Sequence, residues 1–228
     1  MSDGPNITRI ASAIGDPARA EMLTALLAGR ALTATELANQ AGITKQTGST
    51  HLRRLLDAQL VVVQAQGRHR YFAIANEDVA QLLERMIGVA ANTSSIPVQS
   101  GPRDPALRRA RVCYDHLAGE IAVSMYETLI AQNILEFKGE SLDVSKAGEG
   151  WLTCFGIDVD RLRSHRRALC RACMDWSERR NHLAGALGAA LLQRMLDRGW
   201  AKRERDSRLV KFRANGERAL QQALGGAR

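Results

Sequence analysis

Residues Thr33–Arg54 read TATELANQAGITKQTGSTHLRR, and this stretch decides how the N-terminal part of the chain folds. Two short helical patterns flank the turn Gln40-Ala41-Gly42-Ile43, the arrangement of a helix-turn-helix. In the second pattern, Lys45 to Ala58, Gln46, Ser49, Thr50 and Arg53 fall at i, i+3, i+4 and i+7 and share one stripe. Gly48, Leu52 and Leu55 form the opposite face. Hydroxyls and an amide on an exposed stripe match the hydrogen-bonding edges of base pairs, while Lys45, Arg53 and Arg54 suit phosphates. Thr44 is the expected N-cap of this helix. With Thr47 and His51, these residues make up the helix's expected nucleic-acid contacts.

Beyond the second helical pattern, Leu60 is followed by VVVQAQGRHRYFAIA. Val61 to Ala65 and Arg70 to Ala75 are β-prone runs around Gln66-Gly67-Arg68-His69, which predicts a hairpin with a basic tip. A hairpin directly after such a helix is a wing, and it sets Arg68, His69 and Arg70 against a DNA backbone or minor groove. Upstream, Ile7 to Gly29 reads as a helix pair broken at Asp16-Pro17, with proline suited to a helix start.

Residues 8 to 87 resemble the ArsR-type (ArsR/SmtB) family of bacterial winged-helix repressors. The resemblance is carried by Ile14-Gly15-Asp16-Pro17-Ala18-Arg19, Met22-Leu23, Glu36-Leu37-Ala38, Gly42-Ile43-Thr44, His51-Leu52, Leu55, Leu60-Val61 and the wing Gly67-Arg68-His69-Arg70-Tyr71-Phe72. It implies a homodimer whose two recognition helices enter successive major grooves of a near-palindromic operator. It also implies an inducer that weakens DNA binding, and a dimer interface built from the first helix (Ile7, Ile10, Ala11, Ile14) and the helix after the wing (Leu82, Leu83, Met86, Ile87). Three features depart from the family. Glu36 to Gln40 holds no cysteine, and Asn76 to Ala90 has Glu77, Asp78 and Glu84 but no histidine, so neither familiar metal site carries over. Gly48 stands where members have a branched apolar residue, at a helix-interior cost of about 1 kcal/mol relative to alanine.

The whole chain of 228 residues is long enough for one large or two small domains, and its 45% hydrophobic content is that of a globular protein. No apolar run reaches the roughly 18 residues of a membrane span, and Met1-Ser2-Asp3-Gly4-Pro5 is not a signal peptide, so a cytoplasmic protein is expected. Four cysteines, Cys113, Cys154, Cys170 and Cys173, then imply thiols rather than a disulfide scaffold. The net charge of +8 suits an anionic partner. Its distribution is uneven: residues 1 to 96 hold 9 Lys and Arg against 8 Asp and Glu, and residues 97 to 228 hold 23 against 16.

Asn92 to Pro105 (NTSSIPVQSGPRDP) holds three of the five prolines and has the composition of a linker. Beyond it the chain repeats. Asp115-His116-Leu117-Ala118-Gly119 recurs as Asn181-His182-Leu183-Ala184-Gly185, offset by 66 residues, and the helical patterns after each copy align without gaps. Each then enters a hairpin, Leu135 to Val144 around Lys138-Gly139 and Ala201 to Arg213 around Arg205-Asp206-Ser207. Each closes with a short helix that contains a Gly-Glu pair, Gly148-Glu149 and Gly216-Glu217. The expected fold class is therefore mainly α with small β-hairpins (α+β): a winged helix-turn-helix over residues 1–91, a linker over 92–104, and a 105–228 domain of two winged-helix-like repeats, 115–151 and 181–220. The second hairpin carries Lys202, Arg203, Arg205, Arg208, Lys211 and Arg213, which makes it a second candidate for DNA contact.

Between the repeats, Gly156 to Arg180 reads as a basic helical run with Cys170 and Cys173 three residues apart on one face. The stretch Cys170 to Gly185, CRACMDWSERRNHLAG, resembles a sequence in longer ArsR-type regulators. Three readings stand side by side. Cys170 and Cys173 hold a thiophilic metal or metalloid ion with a third ligand from Cys154, Cys113, His182 or His116; or they form a redox pair activated by Arg166, Arg167 and Arg171; or they are core residues beside an organic-effector pocket lined by Asp175, Trp176, Arg179, Arg180 and His182.

Other classes fit less well. No Gly-rich phosphate loop, G-x-S-x-G or HExxH occurs, so no enzyme is expected, and an enzyme built on the His116/His182 region is the alternative of a different class. With 4% aromatic residues the chain lacks the stacking platforms of an RNA-binding module. The sequence thus reads as a dimeric repressor of double-stranded DNA operators, released by a small effector.

Overall fold

The computed structural model describes residues 7–66, 69–93, 102, 104–205 and 207–226. Two compact units divide the chain, Met1–Met86 and Ile87–Arg228.

In the first unit, α1 (Ile7–Ile14) leads to α2 (Pro17–Leu26), whose N-cap Asp16 accepts from the Arg19 N–H. A short strand β1 (Leu32–Thr33) precedes α3 (Ala34–Gln40) and α4 (Lys45–Asp57). Thr33 and Glu36 form a reciprocal capping box at the start of α3. The helix-turn-helix corner closes as a Schellman motif: Ile43 N–H donates to Ala38 O at 3.0 Å and Gly42 N–H to Asn39 O at 3.1 Å, with Gly42 at φ 65°. The wing is β2 (Val61–Gln66) and β3 (His69–Ile74), and β1 pairs on the far side of β3 to give the sheet order β1-β3-β2. Helix α5 (Glu77–Thr93) comes next and runs two residues into the stretch expected as a linker, most of which lies outside the described residues. Leu23, Leu27, Leu37, Leu55, Leu60 and Phe72 are among this unit's buried residues.

In the second unit, the repeat expected from the sequence is present and longer than its sequence signal. The first copy is α6 (Pro105–Arg109), the hairpin β4 (Arg111–Cys113) and β5 (His116–Ala118), α7 (Glu120–Ala131), the hairpin β6 (Leu135–Lys138) and β7 (Ser141–Val144), and α8 (Lys146–Phe155). The second is α9 (Val159–Arg163), β8 (Arg171–Asp175) and β9 (Arg180–Ala184), α10 (Gly185–Asp197), β10 (Ala201–Arg203) and β11 (Val210–Phe212), and α11 (Ala214–Gly225). Even the caps correspond, with Asp104 and Asp158 capping α6 and α9. So do the glycines of the closing helices. A Cβ on Gly148 would lie 2.1 Å from Ile134 O, and one on Gly216 would lie 2.2 Å from Trp200 O. Those carbonyls are themselves 66 residues apart, so each helix seats its glycine on the same backbone position of its own repeat. Both copies share one core, in which Val112, Leu117, Leu129, Leu152, Leu187 and Met195 are 0–1% exposed.

One expectation fails here. The helical run expected across Gly156–Arg180 is only the five-residue α9, after which the chain enters β8, the leading hairpin of the second repeat. In extended backbone, residues three apart point to opposite faces. Cys170 accordingly lies in the core at 8% exposed, whereas Cys173 pairs across to His182 on β9.

Candidate functional site

In the first unit, α4 presents its polar stripe to solvent. Thr44, Lys45, Gln46, Thr47, Ser49, Thr50, Arg53 and Arg54 are all exposed, while Gly48, Leu52 and Leu55 are buried. Thr44 caps the helix by accepting from the Thr47 N–H at 3.2 Å. The Ser49 and Thr50 hydroxyls donate to the carbonyls of Lys45 and Gln46, at 2.9 and 3.3 Å, so both sit in defined rotamers along the stripe. Gly48 explains itself: a Cβ there would lie 3.0 Å from Ala38 Cβ and 3.5 Å from Met22 Cε, so the glycine lets α4 approach α3 closely.

His51 has a different job from the one expected. Its side chain is 14% exposed and faces Arg19, whose Nη1 donates to His51 Nδ1 at 3.1 Å. Arginine has donors only, so His51 Nδ1 is the acceptor in this hydrogen bond. Arg19 also donates to Ala13 O at 2.5 Å and Ser12 O at 2.8 Å, which ties the end of α1 to α4. His51 is thus an anchor of the reading helix. On the wing, His69 and Arg70 are exposed, and Arg68 lies outside the described residues.

The second unit holds a group of side chains of metal-ligating type. Cross-strand pairing sets Cys113 opposite His116 in β4–β5 and Cys173 opposite His182 in β8–β9. The two hairpins bring these pairs together, and one ligand atom from each of the four residues lies within 4.8 Å of the others. His116 Nε2 and His182 Nε2 are 3.2 Å apart. Cys113, His116 and His182 are 2%, 5% and 1% exposed, and Cys173 is half-buried.

Carboxylates stand behind both rings. His116 Nδ1 is 3.2 Å from Asp115 Oδ1, and the Asp115 carboxylate is gripped by both terminal nitrogens of Arg167. His182 Nδ1 is 3.4 Å from Asp175 Oδ2. Asp175 is fully buried and accepts from Arg111 Nη2 at 2.7 Å, Gly119 N at 2.7 Å and the Ser177 hydroxyl at 2.6 Å. Burial alone would raise its pKa, but Arg111, Ser177 and His182 outweigh it and hold the carboxyl far below the usual range. Burial likewise works to lower the pKa of His116, yet Cys113 and Asp115 carry it up to about 9.

The comparisons with known proteins agree on what the first unit is. A family model described as a helix-turn-helix domain matches residues 14–64. The HTH-type transcriptional regulator YdfF of Bacillus subtilis (strain 168) is 39% identical over 220 residues, covering 96% of this chain and 97% of its own length. This chain is an HTH-type transcriptional regulator. A shorter match is the regulator CmtR of Mycobacterium tuberculosis, 34% identical over 83 residues, or 36% of this chain and 70% of CmtR. The solution structure of that protein, described as a cadmium metal-sensor, covers 36% of this chain and 85% of its own with a TM-score of 0.33. The homodimeric winged helix-turn-helix domain of Mycobacterium bovis Mb0332 is 27% identical, covering 40% and 91% with a TM-score of 0.34.

The regulator therefore reads DNA through its helix-turn-helix, and the other sequence-predicted residues sort themselves by position. Cys170 does not join the Cys/His group; burial pushes its thiol up to about 12, which suits a core residue and not a redox partner. Cys154 is exposed on α8. Trp176 lies under Arg111, whose guanidinium carbon is 5.3 Å from the ring centroid. Arg180 is exposed and paired with Glu127 at 3.0 Å, away from the expected pocket lining. In the basic hairpin, Lys211 pairs with Glu204 at 2.8 Å and Arg208 Nε donates to Val112 O at 3.0 Å, so part of its charge is used within the unit. In the sequence, Cys113 stands out only as one of several optional third ligands, and Asp115 only as part of the repeat. No sequence signal pairs Cys113 with Cys173: the histidines are 66 residues apart and the cysteines 60, because the second hairpin is longer.

Proposed function

We propose that this regulator is a dimeric repressor that binds its operator through α4 and the wing, and that a thiophilic metal ion, held in the C-terminal unit by Cys113, His116, Cys173 and His182, is the effector that releases it. The observation that carries the reading is the convergence of two thiols and two imidazoles, nearly all buried, in the unit that does not hold the reading helix. Thiolate and imidazole together suit zinc-like and softer ions. Dimerisation through α1 and α5 is supported by their exposed apolar side chains: Ile7 is 79% exposed, Leu82 40%, Met86 42% and Val89 62%. A DNA partner agrees with the expected cytoplasmic location, and no helix among the described residues is long and apolar enough to cross a membrane. Against the enzyme alternative, the two imidazoles face each other at 3.2 Å, which leaves no room for a substrate between them.

The test is a mobility shift of metal-free protein on its own promoter region, repeated with zinc, cadmium, oxidant and chelator. Ion-dependent release that chelator reverses, and that a Cys113→Ser, Cys173→Ser double variant lacks, supports the reading. Operator affinity indifferent to every ion overturns it.

A further inference from the structure

The Cys/His group has a geometry more specific than a general affinity for metals. Given the proposed uptake of an ion by the C-terminal unit, we infer that Cys113, His116, Cys173 and His182 form a closed tetrahedral site of two sulfurs and two nitrogens. It suits a d10 divalent ion, zinc in the first place, which ties the two repeats to each other.

Four observations carry this. The first is the edge length. Zinc–nitrogen bonds of about 2.0–2.1 Å put two imidazole nitrogens of a tetrahedron about 3.3–3.4 Å apart. His116 Nε2 and His182 Nε2 are 3.2 Å apart. The corresponding sulfur–sulfur edge is about 3.8 Å for bonds of about 2.3 Å. One ligand atom from each of the four residues lies within 4.8 Å of the others, so the set is already gathered to near the size of such a site.

The second is orientation. His116 Nδ1 is hydrogen-bonded to Asp115 and His182 Nδ1 lies 3.4 Å from the Asp175 carboxylate, so both rings keep Nδ1 toward a carboxylate and leave Nε2 for the metal. With both protons on Nδ1, two buried lone pairs meet head-on across 3.2 Å, an arrangement that requires a cation or a proton between them.

The third is charge. Two thiolates and a divalent ion sum to zero, so the filled site places no net charge in a pocket whose ligands are almost all buried. The fourth is composition. Each repeat supplies one sulfur and one nitrogen from its leading hairpin, and neither can complete the set alone. A metalloid that binds through sulfur only finds two thiols here, since Cys170 is in the core and Cys154 is exposed on α8. Four protein ligands leave no open position, which is the mark of a structural or regulatory ion rather than a catalytic one.

The test uses full-length protein stripped with chelator. Titration with cobalt(II) as a spectroscopic stand-in is expected to give one ion per chain, with the intense visible bands of tetrahedral cobalt and a thiolate charge-transfer band, both abolished by stoichiometric zinc. X-ray absorption of the zinc-loaded protein is expected to show two sulfur and two nitrogen neighbours. A Cys154→Ser, Cys170→Ser double variant keeps the full signal, and Cys113→Ser or His182→Gln weakens binding at least tenfold. A six-coordinate spectrum, an all-oxygen shell, or loss of the signal in the Cys154→Ser, Cys170→Ser protein overturns the inference, and none of these readouts involves DNA. If the tetrahedral site forms but operator affinity does not change, this inference stands and the effector reading falls. If an ion releases DNA through some other donor set, the effector reading stands and this inference falls.

Discussion

Replacing Asp175 by alanine removes a buried acceptor on which the leading hairpins of both repeats converge. Its carboxylate is 0% exposed and receives Arg111, itself 2% exposed, together with Gly119 N and the Ser177 hydroxyl. The Asp175→Ala change strands the buried Arg111 guanidinium, and breaking a buried pair from one side costs about 3–5 kcal/mol. The Arg111 contacts to Leu107 O and Ser177 Oγ, at 3.2 and 3.0 Å, hold the guanidinium but cannot neutralise it. A double variant, Arg111→Met with Asp175→Leu, leaves no stranded charge, and replacing a buried pair by apolar groups of similar size is about neutral. Urea unfolding of the ion-free protein, tracked by far-ultraviolet circular dichroism, should therefore show the single variant weakened by about 3–5 kcal/mol and the double variant recovering part of that loss. The orphaned Gly119 N–H holds recovery short of complete, at about 1–3 kcal/mol. A single-variant loss below about 1 kcal/mol, or a double variant as weak as the single one, would refute the idea that charge pairing holds this junction.

In the reading helix, Gly48→Val should cost about 1–3 kcal/mol of stability by overpacking against Ala38, visible as a lowered thermal midpoint and weaker operator binding; unchanged stability would mean that α3 and α4 are not closely apposed there. Neutralising Lys45, Arg53 or Arg54 should flatten the log–log salt dependence of DNA binding by about 0.9 per lost phosphate contact. The same change at Lys202, Arg203 and Arg205 tests the basic hairpin as a second DNA contact: a slope flattened by about 0.9 per lost phosphate contact would bring the second unit onto DNA, and an unchanged slope would keep it off. Cys170, with its pKa raised to about 12, should stay unlabelled by a thiol reagent at mildly alkaline pH while the exposed Cys154 reacts at once; rapid native-state labelling of Cys170 contradicts its place in the core. Asp115→Asn should weaken zinc binding about 10- to 100-fold in a competition titration, with the ligand set unchanged, through loss of the Asp115–His116 contact.

The first unit is legible in the sequence because its signals are local. A cap, a turn glycine and an i, i+3, i+4, i+7 stripe are set by neighbours within a few residues, and Gly42 and Thr44 stand in the structure as the pattern requires. The role of His51 is not legible, because its partner Arg19 lies 32 residues away, beyond any helical period. In the second unit the 66-residue offset reveals the helices, the trailing hairpins and the two histidines. The offset cannot reveal the ligand set, because the second leading hairpin carries extra residues that break the register between Cys113 and Cys173. The same hairpin makes the Cys170 and Cys173 pair deceptive, since a spacing of three means one face in a helix and opposite faces in a strand. Basic and helix-compatible residues in RSHRRALCRAC favour the helix, and cross-strand pairing with Arg180–Ala184 decides it the other way.

The repeat also bears on how an ion could act at a distance. A single hairpin of this kind offers one thiol and one imidazole, a half-site too sparse to hold a metal firmly, and joining two half-sites in one chain raises their effective concentration without any new contact. Such an ion binds well only when β4–β5 and β8–β9 stand close enough for all four ligands to reach it, so it favours that arrangement of the repeats over any looser one. Differential affinity of this sort is the one requirement for a ligand to shift a conformational equilibrium. A factor of about 100 in affinity between the two arrangements amounts to about 2.7 kcal/mol, enough to move an evenly balanced pair almost wholly to one side. Under this scheme the contact that holds the duplicated halves of the C-terminal unit together is itself the ligand-binding site.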